Sequence, residues 1–418
     1  MKKSRLYQNF STRREFLFGL SGLALATTVP CCSHSTNTAV QPQKSEPAIT
    51  SVSDQELDVS CAWVAQDEYK EAYALFKKTI EATTDFTWLS KGDRVLLKIA
   101  LNSGKKFPAT TDPWSVYWMA KLLREKGAGR ILVGDQGGIG SVHWTKDSKK
   151  GSSRQLAKDA GLLKAIEDSN AEPCFFEEFG WDHYRPTNPS GTHNWNDPIM
   201  VAAVLDEVDH IVYIPRIASH ILAGNTLGLK LAVGFLRGDS RGKFHKGGQH
   251  FYAMYEEINQ IPPIKSKLRL VVSSGRSVLT LFGPNDGPVS TPDYGLLVAS
   301  ENLLAHEMMA YAWLQWNRKF ETSAFSHMTM GGLTKKRSYH NKRFSDQTWP
   351  EDGIPTPSID YFEPGNLYNH PAIRNSLKRM GGLPRNIAVE ELNSHPDNSV
   401  GEYLENCIVY PNKWQAVL

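Results

Sequence analysis

The chain has 418 residues, 40% hydrophobic and 22% charged, which is the composition of a globular protein with a sizeable core. The formal charge of +3 arises at the N-terminus, because the first 26 residues hold five of the 47 basic residues and one of the 44 acidic ones. The remainder is close to neutral. This balance gives no electrostatic reason to expect nucleic acid as a partner.

The N-terminus has the features of an export signal. Arg13 and Arg14 form a twin-arginine pair, an apolar run follows over residues 17–25, and small residues at 24–26 suit a cleavage site. The run is shorter than the roughly 20 residues that span a bilayer. We therefore expect residues 1–26 to be a signal peptide that engages the twin-arginine translocation machinery, and the protein to be periplasmic. The alternative is a chance arginine pair before a core helix.

Residues 27–57 are rich in Ser, Thr, Asn, Gln and Pro, which predicts a disordered tether before a domain over residues 58–418. Cys31 and Cys32 raise the possibility of a lipid anchor, although Pro30 stands where a small residue is expected. A membrane contact is expected only if one of these cysteines is lipidated.

Three cysteines remain in the predicted domain: Cys61, Cys174 and Cys407. One disulfide in an oxidising compartment and three buried free thiols are both open. No cysteine spacing resembles a zinc ribbon or a ferredoxin-type iron–sulfur motif.

A βαβ unit starts the predicted domain. Residues 93–101 read as a buried strand and residues 130–135 as the next one. Between them, Thr111 or Asp112 at the N-cap and Pro113 at the first helical position predict a helix that Gly127 ends. The fold is therefore expected to be α/β, with a parallel or mostly parallel sheet, helices on both faces, Rossmann-like βαβ units and two lobes. The part from about residue 320 reads as loop-rich.

Polar residues follow these strands at their carboxyl ends, where α/β proteins bind ligands. Asn102 follows the first strand, Thr111 starts the helix, and Asp135 ends the second strand. The glycines of residues 134–140 allow close approach of a phosphate or carboxylate, or they form a plain surface turn. Their spacing is not the dinucleotide-binding fingerprint.

Residues 209–245 carry the strongest chemical signal. A β-branched run leads to His220, a loop with two glycines leads to Lys230, and a basic tail ends at His245. An imidazole can move a proton next to a carboxylate, and a partly buried lysine can bind an anion or form an imine. Arg216 could clamp a substrate carboxylate. The structural alternative is that His220 bonds the backbone and Lys230 extends along apolar surface.

The order of these segments resembles the bacterial domain-of-unknown-function family 362 over most of residues 90–320. The resembling residues are those of 98–102, 110–113, 127–135, 209–216, 283–287 and 298–301, together with His220, Thr226, Lys230 and Gly234. Ala218 and Leu231 stand where the family usually has Lys and Asn, and Glu301 stands where many members have Asp. The resemblance implies an unassigned activity. Some members carry a ferredoxin-type module, which the cysteine pattern excludes here.

A more distant likeness connects the chain to the nickel-dependent lactate racemase family, in which a His, a Gly-rich loop, a Lys and a second His follow at similar spacing. This resemblance implies that His220 moves a proton, Lys230 anchors a pincer-type nucleotide cofactor and His245 ligates nickel. His143 is the nearby counterpart of a further acid/base histidine in that family.

The sequence thus predicts an exported enzyme that acts on a small anionic carboxylate metabolite by acid/base chemistry, with a metal or nucleotide cofactor open. The predicted catalytic residues are His220 and Lys230, the anion-binding residues are Asn102, Thr111, Asp135, Arg216 and Thr226, and the metal ligand is His245. The alternative is a non-catalytic periplasmic protein that binds a ligand in the same cleft.

Overall fold

A computed structural model describes residues 49, 51–220, 222–281, 283–324 and 366–408. The predicted signal peptide and the tether up to residue 48 lie outside the described residues, as do residues 325–365 of the part predicted to be loop-rich. Among the described residues, no helix combines the length and the apolar character that crossing a bilayer requires.

Sixteen strands occur in the described part of the chain. In order they are β1 (Glu56–Ala65), β2 (Arg94–Ile99), β3 (Arg130–Asp135), β4 (His143–Trp144), β5 (Lys149–Lys150), β6 (Glu172–Phe175), β7 (Tyr184–Thr187), β8 (Ile199–Ala202), β9 (His210–Ile214), β10 (Ala218–His220), β11 (Gly224–Thr226), β12 (Leu268–Gly275), β13 (Val278–Leu279), β14 (Val289–Ser290), β15 (Tyr294–Ser300) and β16 (Asn386–Glu391).

Twelve α-helices accompany them in the same residues. They are α1 (Tyr73–Thr83), α2 (Pro113–Glu125), α3 (Ser153–Ala160), α4 (Leu162–Asp168), α5 (Val204–Glu207), α6 (Gly228–Leu231), α7 (Gly238–His245), α8 (Phe251–Glu257), α9 (Pro262–Lys267), α10 (Leu303–Ala324), α11 (Pro371–Met380) and α12 (Asn398–Ile408). Short 3₁₀ turns lie between several of them, including Ala232–Phe235 after α6.

The central sheet has eight strands in the order β16-β1-β15-β12-β9-β2-β3-β6. β15 runs antiparallel to both of its neighbours, and the other neighbouring pairs are parallel. The predicted mostly parallel sheet is therefore confirmed. The carboxyl ends of β12, β9, β2 and β3 meet at one edge, where the predicted polar residues lie.

Successive side chains of β2 point to opposite faces of the sheet, and each face is covered by a hydrophobic core. Val95, Leu97 and Ile99 enter one hydrophobic core together with residues of α1, α2 and α4. Leu96 enters a second core, which contains residues of α10, α11 and α12. Lys98 occupies the next position on the second face and is completely buried. A buried charge at that position needs an ion-pair partner, and Asp135 is that partner.

The predicted start of α2 is confirmed. The side chain of Asp112 accepts the backbone N–H of Trp114 at 3.2 Å, and Pro113 is the first helical residue. Gly127 follows the helix with a φ of 104°, which suits glycine. Asp112 also forms an ion pair with Arg276 at 3.0 Å, so the helix start is tied to the end of β12.

A smaller sheet has the order β11-β10-β13-β14. Val278 of β13, together with Ile217 and Leu222 on either side of β10, belongs to the same core cluster as Leu96 and Ile211 of the central sheet. The two predicted lobes are accordingly replaced by one compact unit, Ile49–Leu418, because the small sheet packs into the core of the large one.

Gly161 separates α3 from α4, because it adopts a left-handed φ of 80° between them. β7 and β8 pair with each other in a two-stranded sheet outside the central one. The body also begins before residue 58: β1 starts at Glu56, and residue 52 bridges to Leu383.

Cys61, Cys174 and Cys407 are buried, and no disulfide joins any two of them, which decides between the two alternatives in favour of thiols. Burial raises the pKa of Cys61 and of Cys174 to about 12. Neither thiol is therefore poised to act as a nucleophile.

Candidate active site at the carboxyl edge of the sheet

A buried ion pair joins the carboxyl ends of β2 and β3. Lys98 Nζ lies 2.7 Å from Asp135 Oδ1. Asp135 also accepts the backbone N–H of Leu101 at 2.7 Å and that of Gln136 at 2.8 Å. Burial lowers the pKa of Lys98, and the adjacent carboxylate opposes the shift. Both oxygens of Asp135 are thus engaged within the protein, so this residue fixes the strand ends more than it offers a carboxylate to a ligand.

Gly234 lies directly against this ion pair. A Cβ at Gly234 would overlap both Asp135 Oδ1 and Lys98 Nζ. The carbonyl of Gly234 accepts a hydrogen bond from Arg241 Nη2 at 2.9 Å, and Arg241 donates to three further backbone carbonyls. Arg241 therefore holds the loops of the site together. Only a residue without a side chain fits between Arg241 and the ion pair.

Thr111 and Asn102 both make hydrogen bonds within the protein. Thr111 Oγ1 accepts the N–H of Ala100 at 2.8 Å and donates to the carbonyl of Ile214 at 2.6 Å. It therefore links the ends of β2 and β9. Asn102 Nδ2 donates to Asn285 Oδ1, whereas its own Oδ1 is buried without a partner in the described residues.

Arg216 is a buried cation at the end of β9. Its Nη1 donates to the carbonyls of Ala109 and Pro284, and its Nε has no hydrogen-bond partner. No carboxylate of the described residues forms a salt bridge with it. Burial lowers the pKa of Arg216 to about 9, and Asp135 opposes the shift. A guanidinium in this state is suited to a ligand carboxylate.

His220 ends β10 and is buried at the turn into β11. Its Nδ1 accepts the backbone N–H groups of Leu222 at 3.1 Å and Ala223 at 3.2 Å. Burial and the positive charges of Lys230 and Arg216 hold the pKa of His220 well below its usual value. His220 is therefore neutral at neutral pH and carries its hydrogen on Nε2.

Lys230 lies on α6 and is partly exposed. Its Nζ forms no hydrogen bond or salt bridge with the described residues, and it lies 5.9 Å from the centre of the Phe244 ring. Burial, Arg216 and Arg241 lower the pKa of Lys230 to about 7, and Asp135 opposes the shift. The amine is thus divided between its neutral and charged forms near neutral pH.

The turn that carries Lys230 is held from two sides. Glu307 Oε2 accepts the N–H of Leu229 at 2.9 Å, and the carboxylate also bonds the N–H of Gly228. Asn259 Nδ2 donates to the carbonyl of Leu229 at 2.7 Å. Burial raises the pKa of Glu307 to about 8. The backbone beneath Lys230 is fixed, although its amine has no partner among the residues that the structure describes.

His245 ends α7 and is near the same cluster. Its Nδ1 lies 2.8 Å from the carbonyl oxygen of Arg241. Burial and the charge of Lys230 lower the pKa of His245 to about 4. Thr226 is partly exposed on β11, opposite Ala218. His143 lies apart, on the exposed strand β4, and no contact among the described residues joins it to His220.

The structure thus places Lys230, Arg216 and His245 close enough to His220 to lower its pKa, after burial, and places Lys230 close enough to His245 to do the same there. Asp135 belongs to the same electrostatic cluster. No group of three or more His, Cys, Asp and Glu side chains that could hold a metal ion occurs among the described residues.

Four residues of this site carried no role in the sequence analysis: Lys98, Arg241, Asn259 and Glu307. Lys98 could have been found, because a lysine inside an apolar strand requires a buried partner. Asn259 and Glu307 gave no such signal. They reach α6 from segments that are remote in the sequence.

The protein is therefore a mostly parallel α/β protein with a cluster of cationic side chains at the carboxyl ends of its central strands. Residues 95–312 match the family described as Domain of unknown function (DUF362). The match covers more than half of the chain, so the protein belongs to this family, as the resemblance in the sequence indicated.

The chain is also similar to the structure of the lactate racemase apoprotein from Thermoanaerobacterium thermosaccharolyticum. The sequence identity is 9% and the TM-score 0.37, over 86% of this chain and 87% of that chain. No curated protein matches the chain.

Proposed function

We propose that the protein is an enzyme that transfers a proton at the carbon next to the carboxylate of a small metabolite. One observation carries the proposal: the unpaired amine of Lys230 lies in a cluster with a neutral imidazole and with a guanidinium that has no carboxylate partner in the described residues. An anion-binding group, a proton acceptor and a hydrogen-bond donor are the parts that such a reaction needs.

Arg216 would bind the substrate carboxylate. Its buried charge lacks an ionic partner within the described residues, and the carboxylate of a ligand would supply one. Charge that develops on the carboxylate during proton removal would be stabilised by the same guanidinium. Thr226 and Asn102 would contact the rest of the substrate, while Thr111 and Asp135 hold the strand ends in place.

The described side chains do not by themselves fit a metal ion. His245 is the predicted ligand, but burial and then the charge of Lys230 lower its pKa, and the same positive charge would repel a metal cation. No further metal-ligating group of three side chains is present in the described residues. The proposed proton transfer is therefore derived from the side chains alone.

Hydrogen exchange in D₂O tests the proposal without knowledge of the natural substrate. The purified protein would be incubated with both enantiomers of lactate and of malate, and loss of the α-proton signal would be followed by NMR. We expect exchange with at least one probe, loss of that exchange in Lys230→Ala, and no change in Lys149→Ala. Lys149 is the control because it is exposed on β5.

A ligand-binding protein is the second candidate, and Arg216 favours it equally. Calorimetry with the same probes separates the two. Binding of a probe that depends on Arg216, without α-proton exchange for any probe, would replace the enzyme by the binding protein.

We further propose that the protein is exported by the twin-arginine route, on the basis of Arg13 and Arg14. The double variant Arg13→Lys/Arg14→Lys should keep the protein in the cytoplasmic fraction, whereas the native chain should reach the periplasm. Equal export of both chains would contradict this.

A further inference from the structure

We propose that Lys230 Nζ accepts the substrate proton, and that His220 donates a fixed hydrogen bond through Nε2 without gaining or losing a proton. The inference rests on the proposed function for its substrate class. It reverses the roles that the racemase-like pattern implies, in which the histidine moves the proton and the lysine anchors a cofactor.

The hydrogen bonds of His220 support its role as a hydrogen-bond donor through Nε2. Its Nδ1 accepts two backbone N–H groups, so the lone pair of that nitrogen is in use. The neutral ring then holds its hydrogen on Nε2, which has no lone pair to accept another. Protonation at Nδ1 would break both bonds and place a cation next to Lys230 and Arg216. His220 can therefore donate at Nε2 but is a poor proton acceptor.

The environment of Lys230 supports its role as the proton acceptor. The residue is partly exposed, and its amine makes no hydrogen bond or salt bridge with the described residues. The charged groups around the amine are Arg216 and Arg241, with Asp135 as the opposing carboxylate, and the imidazoles of His220 and His245 are close by. Burial of the amine and the two guanidinium groups together favour its neutral form, which is the form that can accept a proton.

The fixed backbone of α6 gives this amine a defined position. Glu307 holds the N–H of Leu229 and Asn259 holds its carbonyl, so the turn cannot rotate without losing both bonds. A proton acceptor must be held near the reacting carbon to be effective. Glu307 and Asn259 are accordingly positioning residues for Lys230.

The proton transfer balances without a further reactant. The C–H bond next to the carboxylate breaks, an N–H bond forms on Lys230 Nζ, and the electron pair of the C–H bond moves into the carboxylate as an enediolate. Arg216 and the Nε2–H of His220 stabilise the added negative charge. Return of a proton from the ammonium, after exchange with solvent, restores the carboxylate.

The proton states can be measured without a substrate. Nitrogen-15 NMR of the full protein, with the His220 signals identified from His220→Gln, should show hydrogen on Nε2 and none on Nδ1 near neutral pH. Competitive acetylation across a pH series should show Lys230 reacting with a midpoint near 7, well below that of the exposed control Lys149. Hydrogen on Nδ1 of His220, or a Lys230 midpoint equal to that of Lys149, would overturn the inference.

Exchange kinetics test the roles directly. Lys230→Ala should lose on the order of 10²–10⁴-fold in α-proton exchange, and added methylamine should restore part of it. His220→Gln keeps an N–H donor and should retain more exchange than His220→Ala. Rescue of His220→Ala by imidazole, with no amine rescue of Lys230→Ala, would assign the proton transfer to the histidine. Exchange with no probe at all would refute the proposed function, while the proton states would still be decided by NMR and acetylation.

Discussion

Replacing Lys230 by Met should stabilise the protein near neutral pH. The folded state holds this lysine in a partly buried position beside two guanidinium groups, which disfavours its charged form. In the unfolded chain the same lysine is solvated and charged. Met has a similar length and no charge, so Lys230→Met removes a penalty of folding without leaving a large cavity.

The pKa shift sets the size of the effect. A fall from 10.5 to about 7 corresponds to an upper limit of about 5 kcal/mol, since a tenfold change in the protonation equilibrium is worth about 1.36 kcal/mol. Lys230 is partly exposed, so solvent screens part of the penalty. We therefore expect the free energy of unfolding to rise by about 1–2 kcal/mol.

The stability gained by Lys230→Met must become smaller as the pH rises. Between pH 7 and 10.5 the unfolded chain binds more protons than the folded one at this site, so native stability rises with pH across that window. Lys230→Met lacks this rise. Its advantage is complete below pH 7 and disappears towards pH 10.5.

Urea unfolding followed by tryptophan fluorescence measures this difference. The native chain, Lys230→Met and the exposed control Lys149→Met would be compared at about pH 6.5 and about pH 9.5. A Lys230→Met gain that is equal at both pH values, or that Lys149→Met shares, would show that the lysine is not electrostatically strained.

Other substitutions test the packing of the site. Gly234→Ala should cost about 1–3 kcal/mol of stability by urea unfolding, because its Cβ would overlap the buried ion pair; the matched control Gly242→Ala, with open space in α7, should be neutral or stabilising. Asp112→Ala should lose more stability than Asp112→Asn, because Asn keeps the helix cap and loses only the ion pair with Arg276. Cys61 should resist Ellman's reagent until the protein unfolds, since burial raises its pKa to about 12; rapid labelling of the native protein would contradict its burial.

Local patterns along the chain were enough to predict the core of the fold. The βαβ unit follows from apolar runs, an N-cap at Asp112 and a glycine at 127, all of which act within a few residues. The order of the eight strands did not follow from them. β16 pairs with β1 across more than 300 residues, and such a pairing depends on which faces remain to be buried after the other strands have assembled.

The residues of the candidate site differ in how much of their setting the sequence indicates. His220, Lys230 and Arg216 were named because their side-chain chemistry stands out after an apolar strand. Thr111 and Asp135 were predicted to bind a ligand, and the structure adds that both bond backbone groups at neighbouring strand ends. Hydrogen-bond partners of this kind lie on other strands, so no local pattern reveals them.

The sequence by itself determined the class of fold, the family and the place of the candidate site at the carboxyl edge of the sheet. Only the tertiary structure decided the state of each group there. The two backbone N–H groups that occupy Nδ1 of His220 come together with it through folding, as do the burial and the two guanidinium groups that lower the pKa of Lys230. Proton affinity depends on burial and on charges in space, and the order of residues along the chain does not contain either quantity.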